Sequence, residues 1–299
     1  MIMPNLGGLP PPIKAALWMI GTVLSFTLMG VCGRELSAEM NTFQILFWRS
    51  LVGAIAIVPL LFHQGWGHVR TARPGMQIAR NLFNFAGQYG WFYAVGVISL
   101  AEVFALEFTT PLWTALLAFL FLKERLTWPR VAAIAFGFAG ILLITRPGVE
   151  TIHPAAFAVL GAAIAYAVSY TMVKSLTATD SPLTILVYMG LVHTPIALAF
   201  SIEGWVWPSA DLWPWVILVG LTGLSAHYCM ARAFQQADAM LVVPIDFLRL
   251  PLIAAVGFLV YDEALNPWVL GGAALVFTAN FLNIRLSLPG KSDQPRAKE

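Results

Sequence analysis

Charge is what this sequence has least of. Only 11% of its 299 residues are Asp, Glu, Lys or Arg, about half the share carried by a soluble globular domain. Hydrophobic residues make up 59%, and the mean hydropathy is +0.77. A fold of this size in water has no interior large enough to hide that much apolar surface. A cytosolic domain and a disordered chain are therefore excluded, and an integral membrane protein is implied. The net charge of +2 is small and scattered, which excludes a nucleic-acid partner. Cysteine is scarce too. Cys32 and Cys229 are the only two, without a CxxC or a Cys/His cluster, which excludes a disulfide scaffold and offers no metal site. They are expected as free, buried thiols toward opposite ends of the membrane. H-E-x-x-H, a Walker loop, a G-x-S-x-G elbow and the paired membrane aspartates of an intramembrane protease are all missing. These absences argue against an enzyme, and no cofactor is expected. Without a nucleotide-binding loop, any transport is passive or coupled to a gradient.

What the chain does have is long apolar runs. A spanning helix needs about 20 mostly apolar residues. Ten stretches qualify: 13–33, 42–62, 77–97, 101–122, 128–146, 153–175, 183–202, 213–233, 239–260 and 267–286. The sequence thus predicts an all-α membrane protein of ten transmembrane helices joined by short loops, of which 63–76 and 203–212 are the longest. Met1–Pro12 lacks the cleavage site of a secretory signal, and Lys291–Glu299 reads as a polar tail. With the N-terminus placed in the cytoplasm, thirteen of the 17 Lys and Arg residues fall on the cytoplasmic side. Only Arg34 and Arg146 fall outside, and Arg49 and Arg249 lie within spans. This asymmetry predicts that both termini are cytoplasmic.

The chain also repeats itself. At a shift of 140, Ala15, Gly21, Ile45 and Val52 fall on Ala155, Gly161, Ile185 and Val192. At 139, Tyr89, Glu124 and Arg146 fall on Tyr228, Glu263 and Arg285, while Glu107 meets Asp246 and Gln88 meets His227. Each copy holds five spans, and an odd number forces the second copy to enter from the opposite side. The expected organisation is two inverted five-helix repeats, 1–150 and 151–288, followed by a tail over 289–299. Inverted repeats are an architecture of secondary transporters, with the substrate site near the midplane where the halves meet.

The matched segments carry a family resemblance. KERLTWPRVAAIAFGFAGILLI (123–144) and DEALNPWVLGGAALVFTANFLN (262–283) each place a Glu after a span. A Leu follows two residues later, then a helix-capping residue, then a helix rich in small residues. The chain resembles the EamA-type branch of the drug/metabolite transporter superfamily over nearly its whole length. It departs from the usual pattern at Asp262, which stands where a small residue is common. The resemblance implies ten spans, cytoplasmic termini, a bacterial inner-membrane location and export of small metabolites. Neutral or aromatic amino acids are favoured, with drugs, nucleotide sugars and organic acids as alternatives. A lipid-acting intramembrane enzyme and a channel remain as readings from other classes. The expected partners are the solute and membrane lipid, and a monomer is compatible with the sequence. Glu124 and Glu263 also have a structural reading, because Thr127 and Asn266 are good N-caps with Pro129 and Pro267 just inside the helices that follow.

Ionisable groups inside a span cost about 2.5–3.5 kcal/mol at its centre and usually face a cavity. Here they are Arg49, Glu107, His193, His227, Asp246 and Arg249, with Arg80 near a span end and able to snorkel. Asp246 and Arg249 are three apart on one helical face. They read either as an internal salt bridge or as a site where Arg249 takes a substrate carboxylate, Asp246 orients it, and Glu107 receives an ammonium group. Arg49 reads as a second cation or as a structurally paired one. Asn84 and Gln88 share a face of the most polar span, where Gly87 and Gly90 permit close approach. Tyr89, Thr110, Trp113, His227 and Tyr228 complete the expected substrate-binding set, with Trp48, Tyr166 and Tyr170 as further aromatic surface. His193 reads as a packed histidine. Pro111, Pro244 and Pro251 interrupt the backbone ladder and are the expected bending points. The carbonyl freed near Glu107 is expected to be open to solute or water.

Overall fold

The computed structural model describes residues 10–122, 128–148, 151–176, 179–236 and 245–286. Eleven α-helices run through them: α1 Pro11–Leu36, α2 Thr42–Gln64, α3 Pro74–Val95, α4 Leu100–Glu107, α5 Thr110–Leu122, α6 Trp128–Thr145, α7 Pro154–Leu176, α8 Pro182–Ser201, α9 Trp213–Gln236, α10 Arg249–Tyr261 and α11 Pro267–Leu286. Short 3₁₀ turns occupy Trp66–Val69 and Ala210–Leu212 in the two longest loops. The starts are written locally. Five helices begin on a proline, whose missing N–H lies where the helix would leave it unbonded. Asn41, Ser99 and Ser181 accept hydrogen bonds from the backbone N–H groups of Gln44, Glu102 and Thr184.

Apolar residues surround most of these helices, because the outer face meets lipid and the inner face meets other helices. Phe62, Phe200 and Leu259 are among the large side chains on the outside. α3 departs from this pattern. Its 22 residues span about 33 Å at 1.5 Å each. It does not count among the helices apolar enough to cross a membrane, because Gln77, Arg80, Asn81, Asn84 and Gln88 lie along it. All five are buried. Arg80 does not snorkel. It is 4% exposed and donates to Asn81 Oδ1.

The helices pair between the repeats. α1 packs on α9, and its repeat equivalent α7 packs on α3, the equivalent of α9. α2 packs on α8 and α6 on α11, each an element against its own counterpart, and α4 packs on α10, which follows the break in the equivalent span of the other repeat. That exchange pattern is a two-fold axis relating two five-helix repeats of ten spans, inverted with respect to each other. α6 and α11 cross closely. A methyl group on Gly140 would sit 2.7 Å from the Gly272 carbonyl oxygen, and one on Gly272 would sit 2.6 Å from that of Gly140.

Two spans are broken, and at equivalent places. The span expected over 101–122 ends its first helix at Glu107 and resumes at Thr110. In the other repeat, Ile245 and Asp246 are helical, Phe247 and Leu248 form a turn, and α10 starts at Arg249. Pro111 and Pro251 cause the breaks, since neither has an N–H for the carbonyl four residues back. Tighter i→i+3 bonds bridge the gap, from Thr109 N to Leu106 O and from Leu250 N to Phe247 O, each 3.1 Å. The carbonyl freed at Glu107 is not open to solute, contrary to expectation. The Thr110 hydroxyl donates to it at 2.7 Å, and Asn280 Nδ2 of α11 donates to the Phe108 carbonyl at 2.7 Å. Pro244, Glu124 and Thr127 lie outside the described residues.

Candidate functional site

The two breaks meet. The Phe108 and Phe247 rings stack with centroids 4.6 Å apart, so equivalent residues touch across the two-fold axis. This places Glu107, at the end of α4, beside Asp246 and Arg249. Arg249 Nη2 donates to Asp246 Oδ2 at 2.6 Å, and Nη1 lies 3.5 Å from Glu107 Oε1. Phe26, Phe104 and Phe108 pack their rings against the guanidinium, with centroids 4.7, 5.8 and 4.8 Å away. Such cation–π contacts are strong in a desolvated site. Trp91 Nε1 donates to the second oxygen of Glu107 at 2.8 Å. Both carboxylates therefore share one guanidinium through its two terminal nitrogens, while its Nε has no hydrogen-bond partner among the described residues. Arg249 is not a free receptor for a solute carboxylate as expected.

Glu107 forms one wall of a cleft of ≈ 350 Å³, including its open mouth, which is also lined by Phe26, Met29, Arg49, Asn84, Gln88, Trp91, Tyr166, Tyr170 and His227. Only a small part of that space is wide enough for water, so the walls are drawn together in this state. α1, α2, α3 and α4 of the first repeat and α7 and α9 of the second all contribute. Also in the lining, Arg49 Nη1 donates to Gln88 Oε1 at 2.9 Å, and Gln88 Nε2 donates to Asn84 Oδ1 at 2.9 Å. The Tyr166 and Tyr170 rings lie nearly parallel, 6.0 Å apart and 16° between planes. A methyl group on Gly87 would sit 2.7 Å from Tyr166 Cε1, so that glycine is what lets the ring approach α3. His227 stands edge-on to Phe26 at 5.4 Å.

Asn84, Gln88, Glu107 and His227 thus reach the cleft, with Asp246 and Arg249 behind it, while Tyr89, Trp113, Tyr228 and Thr110 do not. Tyr89 is 37% exposed and leans on Phe43 at 4.5 Å, because one residue beyond Gln88 turns the side chain about 100° around the helix. Trp113 donates to Thr109 Oγ1 and packs edge-on against Phe138 of α6. Tyr228 packs against Trp18 between α9 and α1. Trp48 belongs to an aromatic cluster with Trp205, Trp207 and Trp213. His193 is packed as expected, its Nε2 3.0 Å from the Asn81 carbonyl oxygen. Sequence reading missed Trp91 as the donor to Glu107, and Phe26 and Met29 as lining residues. Trp91 follows Asn84 and Gln88 at helical spacing, a signal that marks the same face. Phe26 and Met29 carry no signal in an apolar helix.

Contacts bridge the repeats at both ends of the bundle. At one end, Arg34 at the end of α1 pairs with Glu263 Oε1 at 3.0 Å. The other oxygen of Glu263 accepts from Leu100 N, the first residue of α4, at 2.9 Å. The Tyr261 hydroxyl donates to Glu35 at 2.7 Å. The repeated Glu thus ties the end of one repeat to the broken helix of the other. At the opposite end, Arg73 donates to Ser175 and Gln77 to Asp180.

A bundle of inverted repeats with broken helices meeting at a buried, charged cleft defines a membrane carrier. The model of the EamA-like transporter family matches residues 13–146 and again 153–285, and the chain belongs to that family. It is a multi-pass membrane transporter with a small-molecule substrate and not an enzyme. It is 25% identical to an S-adenosylmethionine uptake transporter of Rickettsia felis over 89% of this chain and 91% of that protein. It is 31% identical to a riboflavin transporter of Brucella anthropi over 81% of this chain and 87% of that protein. One solved crystal structure superposes with a TM-score of 0.64 over 92% of this chain and 99% of its own, at 17% identity, and shares the fold.

Proposed function

We propose that this chain moves small metabolites with an amino-acid-like head group across the bacterial inner membrane by alternating access, with both termini in the cytoplasm. The observation that carries this reading is the meeting of the two broken helices. It gathers Asp246, Arg249 and Glu107 at the two-fold axis, and Glu107 lines one cleft together with Arg49. A zwitterion needs one cationic and one anionic partner in a low-dielectric site, and these walls supply both. The paired Tyr166 and Tyr170 rings suit an apolar or flat group beyond the head. Aromatic amino acids fit that description. So does S-adenosylmethionine, the cargo in the name of the Rickettsia relative, which joins an amino-acid head to a nucleoside. Export of amino acids is the narrower reading. A carrier of this kind works reversibly, and the solute and ion gradients set the direction of net movement.

Counterflow in proteoliposomes tests this. Vesicles loaded with unlabelled phenylalanine, methionine or S-adenosylmethionine are expected to accumulate the labelled solute transiently, with saturation. Movement of riboflavin alone, with no counterflow of any amino-acid-headed solute, would overturn it. Flux that never saturates would mark a channel instead.

A further inference from the structure

Arg49 is a buried cation with no carboxylate partner among the described residues. It is 3% exposed, and a guanidinium stays protonated there. Among the described residues its one hydrogen-bond partner is the neutral amide of Gln88, itself held by Asn84, and its Nε has none. The other central cation, Arg249, is shared by Asp246 and Glu107. With both carboxylates ionised that triad carries a net negative charge. Arg49 and Glu107 line the same cleft, so it holds both a cation without a carboxylate partner among the described residues and, with both acids ionised, a surplus carboxylate. An unpaired buried charge is costly, and among the described residues no carboxylate offsets this one.

The backbone beside Arg49 is also cut back. A methyl group on Gly223 of α9 would sit 2.9 Å from Arg49 Nε and 3.0 Å from Nη2, so only glycine leaves that flank of the guanidinium free. Arg49 lines a second cavity as well, between α2, α8 and α9, with Gly53, Gly220 and Gly223 in its walls.

We propose that Arg49, held by Gln88 and Asn84, is the receptor for a carboxylate on the transported solute, which supplies the counter-ion the fold withholds. This rests on the reading of the chain as a carrier of amino-acid-headed solutes. Planar guanidinium and carboxylate groups match fork to fork. The solute's ammonium group then faces Glu107.

Binding to purified protein in lipid nanodiscs tests the assignment. The probes are L-phenylalanine and S-adenosylmethionine, each beside its carboxylate-free counterpart, phenethylamine and decarboxylated S-adenosylmethionine. The wild type is expected to prefer the acids. Arg49→Met is expected to weaken the acids by about ten- to a hundredfold, the scale of a charged hydrogen bond, and to leave the amines within about threefold. Arg49→Lys recovers part of the loss. Gly223→Ala keeps the charge but crowds the guanidinium, so it is expected to weaken the acids selectively, and it decides the matter should Arg49→Met not fold. An acid-over-amine preference that persists in Arg49→Met and Gly223→Ala overturns the assignment and leaves the carrier reading standing. If the wild type binds neither acid, the carrier reading falls as well, and the assignment with it.

Discussion

Arg249 holds two buried carboxylates in place, and its loss would leave both without a counter-charge. Breaking a buried ion pair from one side costs about 3–5 kcal/mol. Arg249→Ala is expected to insert in the membrane but to unfold at clearly lower temperature in detergent, and to transport poorly. Glu107→Gln keeps an acceptor for Trp91 and removes the charge. Its expected effect is strong loss of counterflow with little change in the melting temperature. Tyr89→Ala and Tyr228→Ala are expected to bind solute within about twofold of wild type, because both rings pack outside the cleft. Wild-type flux in Glu107→Gln, or a large binding defect in Tyr89→Ala, would contradict this placement. Much of the site could be read locally. Asn84 with Gln88 is fixed by helical spacing, and Asp246 with Arg249, three apart in sequence, is bonded across the break rather than along one helix. Tyr89 points away from the cleft because proximity along the chain is not proximity around a helix. That Arg249 is taken by Glu107 was not legible, since 142 residues separate them and the contact depends on how two repeats cross.

The breaks belong to the scale of the element. Pro111 and Pro251 foretell interrupted helices, and the structure places the gaps two to four residues earlier, where the prolines supply no N–H. Pro111→Ala restores an N–H for the Glu107 carbonyl. It is expected to lengthen the helix through the gap, to slow transport at least several-fold and to leave the melting temperature equal or higher. Unchanged turnover would show that the break is not a working part. Glu263 is a second element-scale device. It caps the start of α4 and pairs with Arg34. Cys32, fully buried two residues before Arg34, reports on that end. In a Cys229→Ser background, Glu263→Gln is expected to speed labelling of Cys32 by an impermeant maleimide. Equal labelling rates would remove Glu263 from any role in closing that end. The recurrence of Glu124 and Glu263 was visible in sequence. The partners of Glu263 were not, because Arg34 and Leu100 come from the other repeat.

At the scale of the whole molecule, the fold was the most legible feature. Ten apolar runs and an odd number per repeat define the architecture before any contact is known. What they leave open is how the copies interlock, since α1 packs on α9 and α3 on α7 through close contacts that composition does not encode. Topology is checked by cysteine scanning of residues 205–210, which are expected to react with an impermeant reagent from the periplasmic side. The central claim, that two inverted halves rock about a shared cleft, is tested most directly by pulsed spin-label distances across both ends of the bundle in lipid. One pair, Ala38 with Ala264, joins the repeats at the Arg34–Glu263 end. The other, Ala72 with Thr179, joins them at the Arg73–Ser175 end. The two distances are expected to change in opposite senses when transported solute is added. Distances that lengthen together, or that stay fixed while solute is carried, would contradict the account.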